Sequence, residues 1–144
     1  MSVENNKLLV LRLLNEGVNQ KKLGIIDEVI ASDCAFHISD GQTVIGVNVV
    51  KQMITAFFDA FDGFRVTIED IIGEDDKVVV RFFESGKHQG EFEGITPTGN
   101  EVVWVEIAIF RIENNKIVEA WTLEDKLNLM KQLGTRPPPE EIEK

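Results

Sequence analysis

Residues 101–125 read EVVWVEIAIFRIENNKIVEAWTLED. Two runs rich in β-branched and aromatic residues flank Asn114-Asn115. Asparagine tolerates the positive φ that both central positions of a type I′ turn require, so the stretch predicts a hairpin closed by those two residues. Such a turn pairs Glu113 with Lys116. Carried along the ladder without interruption, it sets Glu106 opposite Leu123 and Trp104 opposite Asp125. Alternation then sorts the side chains into two faces. Trp104, Glu106, Ala108, Trp121, Leu123 and Asp125 fall on one face, and Val103, Val105, Ile107, Ile109, Val118 and Ala120 on the other. Both faces are apolar, and an antiparallel sheet of that kind needs two covers.

The rest of the chain supplies one of them. Val3 to Gln20 carries a broad apolar stripe without an internal proline, and Leu23, Ile26, Val29 and Ile30 mark a shorter helix. Ala31 to Ser39 reads as a strand ending at Asp40-Gly41. From Val47 onward, Val50, Met53, Ile54, Phe57, Phe58 and Phe61 recur at helical spacing until Asp62-Gly63. Phe64–Ile72, Lys77–His88, Glu101–Ile112 and Lys116–Asp125 are strand-like, with Gly, Asp and Asn at their turns. Consecutive strands without an intervening helix imply antiparallel pairing, so the class is α+β, with helices on one side of a curved sheet. One domain over residues 1–134 and a flexible Pro-rich, charged tail over 135–144 follow. The second cover of the sheet is expected to be another copy of the chain, a homodimer through the outer sheet face.

Composition narrows the partners. With 15 Lys+Arg against 25 Asp+Glu the formal net charge is −10, and no basic cluster opposes it. Nucleic acid and anionic membrane surfaces are therefore unsuitable partners. The single cysteine, Cys34, excludes an internal disulfide, and the acidic, polar N-terminal stretch lacks a signal peptide's apolar run, so a cytoplasmic location is expected. Tyrosine is absent, which removes every mechanism needing a phenol. No nucleotide, dinucleotide or G-x-S-x-G motif occurs, and two isolated histidines offer no metal spacing, so neither a cofactor nor a metal is expected.

Enclosed by helices, the Trp104/Trp121 face predicts a pocket containing acids. Glu106 and Asp125 share an aromatic-lined surface on this reading, and apolar surroundings together with a second carboxylate raise a carboxyl pKa toward neutrality. Asp125 is the leading acid/base candidate, set against a helix N-cap for Lys126–Gln132. His37 and His88 read individually as core or rim histidines, and either could orient an acid partner. Arg81 is expected to pair with a core acid such as Glu106, a pair that could also touch substrate. Trp104 and Trp121 are wall residues. Met53, Phe57 and Phe58 are core with some side chains lining the cavity, and Thr96–Gly99 is a tight turn into the next strand.

The ordered string Gly86-Lys87-His88-Gln89-Gly90, Gly94-Ile95-Thr96-Pro97-Thr98-Gly99 and Trp121-x-x-x-Asp125, with Arg81, Phe110-Arg111, Asn115–Ala120 and Gln132–Gly134, resembles the SnoaL-like polyketide cyclases of the nuclear transport factor 2-like superfamily. The likeness runs from about Asn5 to Gly134. It implies a cone-shaped curved antiparallel sheet wrapped around helices, a cystatin-like α+β barrel, usually dimeric, with a hydrophobic cavity. It further implies a cofactor-free intramolecular aldol ring closure, with the acid/base aspartate at Asp125. The chain departs from the family's glycine-threonine-histidine triplet at Lys87, which either points to solvent or alters the pocket rim. The expected function is acid/base cyclisation of a small hydrophobic, polyketide-like molecule held in the cavity. A non-catalytic dimeric module binding such a ligand is the alternative. Epoxide or ester hydrolysis is a third reading, and it requires Arg81, Glu106 and Asp125 around one water.

Overall fold

Asn114 and Asn115 both adopt positive φ, 50° and 60°, and Glu113 pairs with Lys116, as a type I′ turn requires. In the computed structural model, which describes residues 2–134, this hairpin joins β5 (Glu101–Glu113) to β6 (Lys116–Glu124). The charged tail expected over 135–144 lies outside the described residues.

The helices come first. Ser2 caps α1 (Val3–Arg12) by accepting the Asn5 amide at 3.0 Å, and the helix continues as a π-helical segment over Leu13–Asn19. Next come α2 (Leu23–Val29), β1 (Ile30–His37) and β2 (Thr43–Ile45), a short strand with no periodicity to announce it. Helix α3 (Val47–Ala60) then runs into β3 (Phe61–Glu74), followed by β4 (Lys77–His88), the hairpin and α4 (Lys126–Gln132).

The spacing of α3 carries Phe61 into the helix, but the helix ends at Ala60 without a loop. Its last carbonyl is taken by the Gln89 and Gly90 amides, each at 3.0 Å. Only glycine permits that approach, because a Cβ on Gly90 would stand 2.2 Å from the Asp59 carbonyl oxygen.

Six strands form one unclosed sheet in the order β2-β1-β6-β5-β4-β3. All pairings are antiparallel except β1 with β6, which is parallel, so the sheet is mixed. Helix α3 packs on β1 and β3, and α1 on β3 and β4. Val10, Ile26, Val78, Val80, Trp104 and Ile117 are buried between the layers. Among the described residues no helix is long and apolar enough to cross a membrane.

The hairpin departs from uninterrupted pairing at one position. Ile112 faces Ile117, but Arg111 faces Glu119, so Val118 is an extra residue bulged from β6. A one-residue slip exchanges the faces of everything beyond it. Glu106 therefore stands opposite Glu124, not Leu123, and Ala120, Thr122 and Glu124 turn toward the helices. Trp121 and Leu123 turn to the outer face, beside Val103, Val105, Ile107 and Ile109. The β5 assignment holds, and the β6 assignment is reversed. On that outer face Val103, Ile107 and Leu123 are exposed.

Candidate functional site

Between α3, the π-helical segment and the inner sheet face lies a cavity of about 760 Å³. Its walls are aliphatic and aromatic: Leu14, Phe36, Val50, Phe57, Phe82 and Phe110 all contribute. Alternation along the strands delivers the polar exceptions. On β4, Val78, Val80 and Phe82 face inward and Glu84 takes the next inward position, only 4% exposed. Glu106 is supplied by β5, and β6 supplies Glu124, turned inward by the bulge. One carboxyl oxygen from each of these three residues lies within 4.8 Å of the other two. Trp104 donates its indole N–H to Glu124 at 3.3 Å, whereas Glu84 Oε1 is buried with no hydrogen-bond partner.

Burial and mutual proximity shift these groups in one direction. Glu84 is pushed well above the usual carboxylate range by burial, then by the Glu106 charge beside it. Burial also raises Glu106. Glu124 is pushed up to about 7 by burial and the Glu106 charge, opposed by the Trp104 hydrogen bond. Among the described residues this is the cluster whose donor atoms come close enough to hold a cation. With neither imidazole nor thiolate in it, the set suits a hard cation or shared protons.

Asp125 lies on the cavity rim and is exposed. Its backbone N–H donates to the Val105 carbonyl at 3.0 Å, and its side chain accepts the Asn128 amide at 3.1 Å, capping α4. Lys126, beside it, pairs with Glu93 at 2.6 Å. Glu93 and Glu91 come from the loop spanning residues 89–100, which sets Phe92 against Phe57 with the ring centroids 5.8 Å apart.

The other expected site residues divide. Met53, Phe57 and Glu106 line the cavity. Trp104 sits behind the wall, fully buried among Phe57, Phe61 and Phe64. Phe58 packs on Phe64 beneath the Lys21 ammonium, off the cavity lining. His88 is buried behind Phe61, where Nδ1 accepts the Thr98 amide at 3.1 Å; the turn expected at Thr96–Gly99 lies earlier, at Glu93-Gly94 between the bridged Phe92 and Ile95, and Thr96–Gly99 runs past this histidine without one. Lys87 is exposed on the outer face.

Three residues lie away from the cavity. Arg81 is on the outer face of β4, bonded to Asp70 at 2.7 and 2.9 Å, not to Glu106. Alternation explains this, since Val80 and Phe82 on either side point inward. Without Arg81, the Arg81–Glu106–Asp125 constellation of the hydrolytic reading does not assemble. Trp121 stacks on His37 at 5.5 Å on that same outer face, and His37 bridges Thr43 and Glu119 at 2.8 and 2.7 Å.

Two inward glutamates were missed. Glu84 was visible as the next even position after Val78, Val80 and Phe82. Glu124 was hidden by the bulge.

A model of the SnoaL-like polyketide cyclase family matches residues 8–133. Among solved structures, a protein of Jannaschia sp. CCS1 provisionally assigned as a SnoaL-like polyketide cyclase is 24% identical with a TM-score of 0.85, covering 93% of this chain and 94% of its own. AclR of Streptomyces galilaeus, provisionally assigned as a hydroxylase, is 26% identical with a TM-score of 0.84, covering 99% and 90%. IdmH of Streptomyces antibioticus, provisionally assigned as a polyketide cyclase, is 24% identical with a TM-score of 0.80, covering 90% and 99%. No curated protein sequence matches the chain.

Proposed function

The chain belongs to the SnoaL-like polyketide cyclase family, and from that premise we propose that it catalyses a cofactor-free, acid/base intramolecular aldol-type ring closure of a small hydrophobic, polyketide-like substrate. The observation that carries this reading is an apolar cavity of about 760 Å³ with a carboxylate, Asp125, on its rim. A carbon between two carbonyls is acidic enough for a carboxylate to deprotonate, because the substrate delocalises the enolate itself. Asp125 takes that proton, and the carbanion attacks an internal carbonyl carbon. Holding the folded substrate in reacting geometry is the task of the aromatic and aliphatic walls, and such positioning is worth several kcal/mol, up to roughly 7–11 in the best intramolecular cases.

Asp125→Asn is the test, because asparagine caps a helix as well as aspartate does. An aryl-tethered β-keto methyl ester serves as substrate, its closure to an aromatic ring followed by absorbance. Turnover is expected to fall by about 100-fold or more, the scale of a lost general base, with an unchanged melting temperature. Full activity in the variant rejects the assignment. Binding of the same ester without any closure by the native chain favours the non-catalytic binding reading instead.

The reading extends to assembly. The exposed Val103, Ile107 and Leu123 on the outer face support pairing with a second copy of the chain. Sedimentation of the native chain and of Ile107→Lys tests this: a native dimer that dissociates on substitution supports it, and a native monomer rejects it.

A further inference from the structure

We propose that Glu84, Glu106 and Glu124 form a proton-sharing donor site on the inner sheet wall that hydrogen-bonds a carbonyl oxygen of the substrate, so that the cavity takes a ketone or ester at this end and rejects a free carboxylate. The inference rests on the ring-closure reading and adds its acid, and the ligand class that acid selects.

The geometry is that of three adjacent strands. Glu106 stands opposite Glu124, and Glu84, whose partner on β5 is Trp104, lies diagonal to Glu106. One carboxyl oxygen from each is within 4.8 Å of the others on a wall shared with Phe82 and Phe110. Three ionised carboxylates at that spacing, against apolar side chains, need compensation. Lys126 is the cation among the described lining residues, and Glu93 already holds it at 2.6 Å. The other charged groups facing the cavity are Asp40, Glu91 and Asp125, which add negative field. Protons are the compensation this set of neighbours favours.

A protonated carboxyl is a donor as well as an acceptor. The indole N–H of Trp104 fills an acceptor position on Glu124 at 3.3 Å, and Glu84 Oε1, on a side chain 96% buried by its 4% exposure, has no protein partner. A neutral carbonyl oxygen complements such a donor, whereas a carboxylate meets repulsion from every acid around it.

In the ring closure, the carbon–hydrogen bond breaks as its proton passes to Asp125. The carbon–carbon bond forms as the π bond of the acceptor carbonyl breaks, and the resulting alkoxide takes its proton from the glutamate site. One proton is accepted and one given, and exchange with solvent at the open rim restores both groups. No oxidant or second reactant is involved.

The probe is 2-acetylnaphthalene labelled with carbon-13 at its carbonyl, a neutral ketone that cannot close a ring, bound to the full chain and read by infrared difference spectroscopy. Its carbonyl stretch is expected at the lowered frequency found in hydrogen-bonding solvents. Asp125→Asn and the Glu84→Gln/Glu106→Gln double variant, whose amides still donate, are expected to keep the lowered frequency. The Glu84→Leu/Glu106→Leu/Glu124→Leu triple variant is expected to return it to the value in hexane while binding persists. At pH 7, 2-naphthoate is expected to bind at least about tenfold more weakly than the ketone, or ~1.4 kcal/mol. A frequency unmoved by the leucine substitutions, a naphthoate that binds as tightly, or a shift that appears only with added magnesium or calcium and vanishes with EDTA overturns the proposal. Because the ketone undergoes no turnover, these outcomes are separate from the loss of activity in Asp125→Asn that tests the ring closure itself.

Discussion

Glu106 stands directly across the β5–β6 ladder from Glu124, carboxyl beside carboxyl on an apolar wall. Like charges directly opposed destabilise a sheet, and burial multiplies the cost. Retaining protons relieves both.

A pH dependence follows from that pair. The folded chain keeps a proton on Glu124 up to about 7, whereas an unfolded chain releases it near ~4.3. Between those values the folded state binds more protons, so stability falls as pH rises and levels off above the upper limit. Glu84 and Glu106, also raised, act in the same direction. Glu119, lowered first by its hydrogen bond from His37, loses its contribution only in acid below this window. Thermal melts are expected to show a lower transition at pH 8 than at pH 5.5. Glu124→Gln is expected to flatten the difference and raise stability at pH 8, by on the order of 1–3 kcal/mol. Equal transitions at both pH values, with no gain in the variant, contradict the assignment.

The bulge at Val118 gives a second expectation. Deleting Val118 removes the unpaired residue and leaves Ile112 opposite Ile117, Arg111 opposite Glu119 and Glu106 opposite Glu124, so Trp121 and Leu123 keep to the outer face and Glu124 to the cavity. The deletion is expected to keep cooperative melting, near-ultraviolet circular dichroism and the lower transition at pH 8, and Val118→Ala, which keeps the extra residue, to cost no more than about 1 kcal/mol. A deletion variant that loses cooperative melting or that pH dependence rules out this role for the bulge.

That residue also marks where the sequence stops being legible. Periodicity found α3 and located β4 at its observed ends, because each carries a continuous apolar stripe or strict alternation. The turn chemistry of Asn114-Asn115 located the hairpin and the first two pairs of its ladder. Nothing in Ile117-Val118-Glu119 distinguishes a bulged valine from a paired one, since the bulge is decided by what the sheet packs against. One unmarked residue thus concealed Glu124, displaced Trp121 and left Asp125 at the start of α4 instead of opposite Trp104. Arg81 departs from its expected pairing with Glu106 for a different reason: the alternation that buries Val80 and Phe82 also turns the arginine outward to Asp70, away from the core acids. The glycines of the Gly86–Gly90 motif, by contrast, acquire a plain meaning in the structure.

Gly90 is expected to tolerate no side chain. An alanine Cβ there would lie 2.2 Å from the Asp59 carbonyl oxygen and 3.2 Å from the Ala60 Cα, both backbone atoms that cannot step aside. Gly90→Ala should therefore break the two hydrogen bonds that the Gln89 and Gly90 amides donate to the end of α3 and cost on the order of 3 kcal/mol or more. Gly24, inside α2 with open space around it, is the control: Gly24→Ala should be neutral or stabilising by up to about 1 kcal/mol. Denaturant titration of both variants checks the pair, and equal stabilities would remove the close-approach argument.

Trp104 offers a test of the carboxyl cluster that leaves all three glutamates in place. Its indole N–H donates to Glu124 at 3.3 Å and favours the charged form of that carboxyl. Trp104→Phe keeps an aromatic ring among Phe57, Phe61 and Phe64 but removes the donor. The Glu124 midpoint is then expected to rise above about 7, because burial and the Glu106 charge act with less opposition. Carbon-13 labelling of the glutamate side-chain carboxyls and a pH titration read this directly. The slope of stability against pH should steepen in the same variant, since the gap between folded and unfolded proton affinities widens. If the midpoint instead falls or stays in place, the indole is packing against Glu124 without donating to it, and the orientation of the whole cluster toward the cavity has to be redrawn.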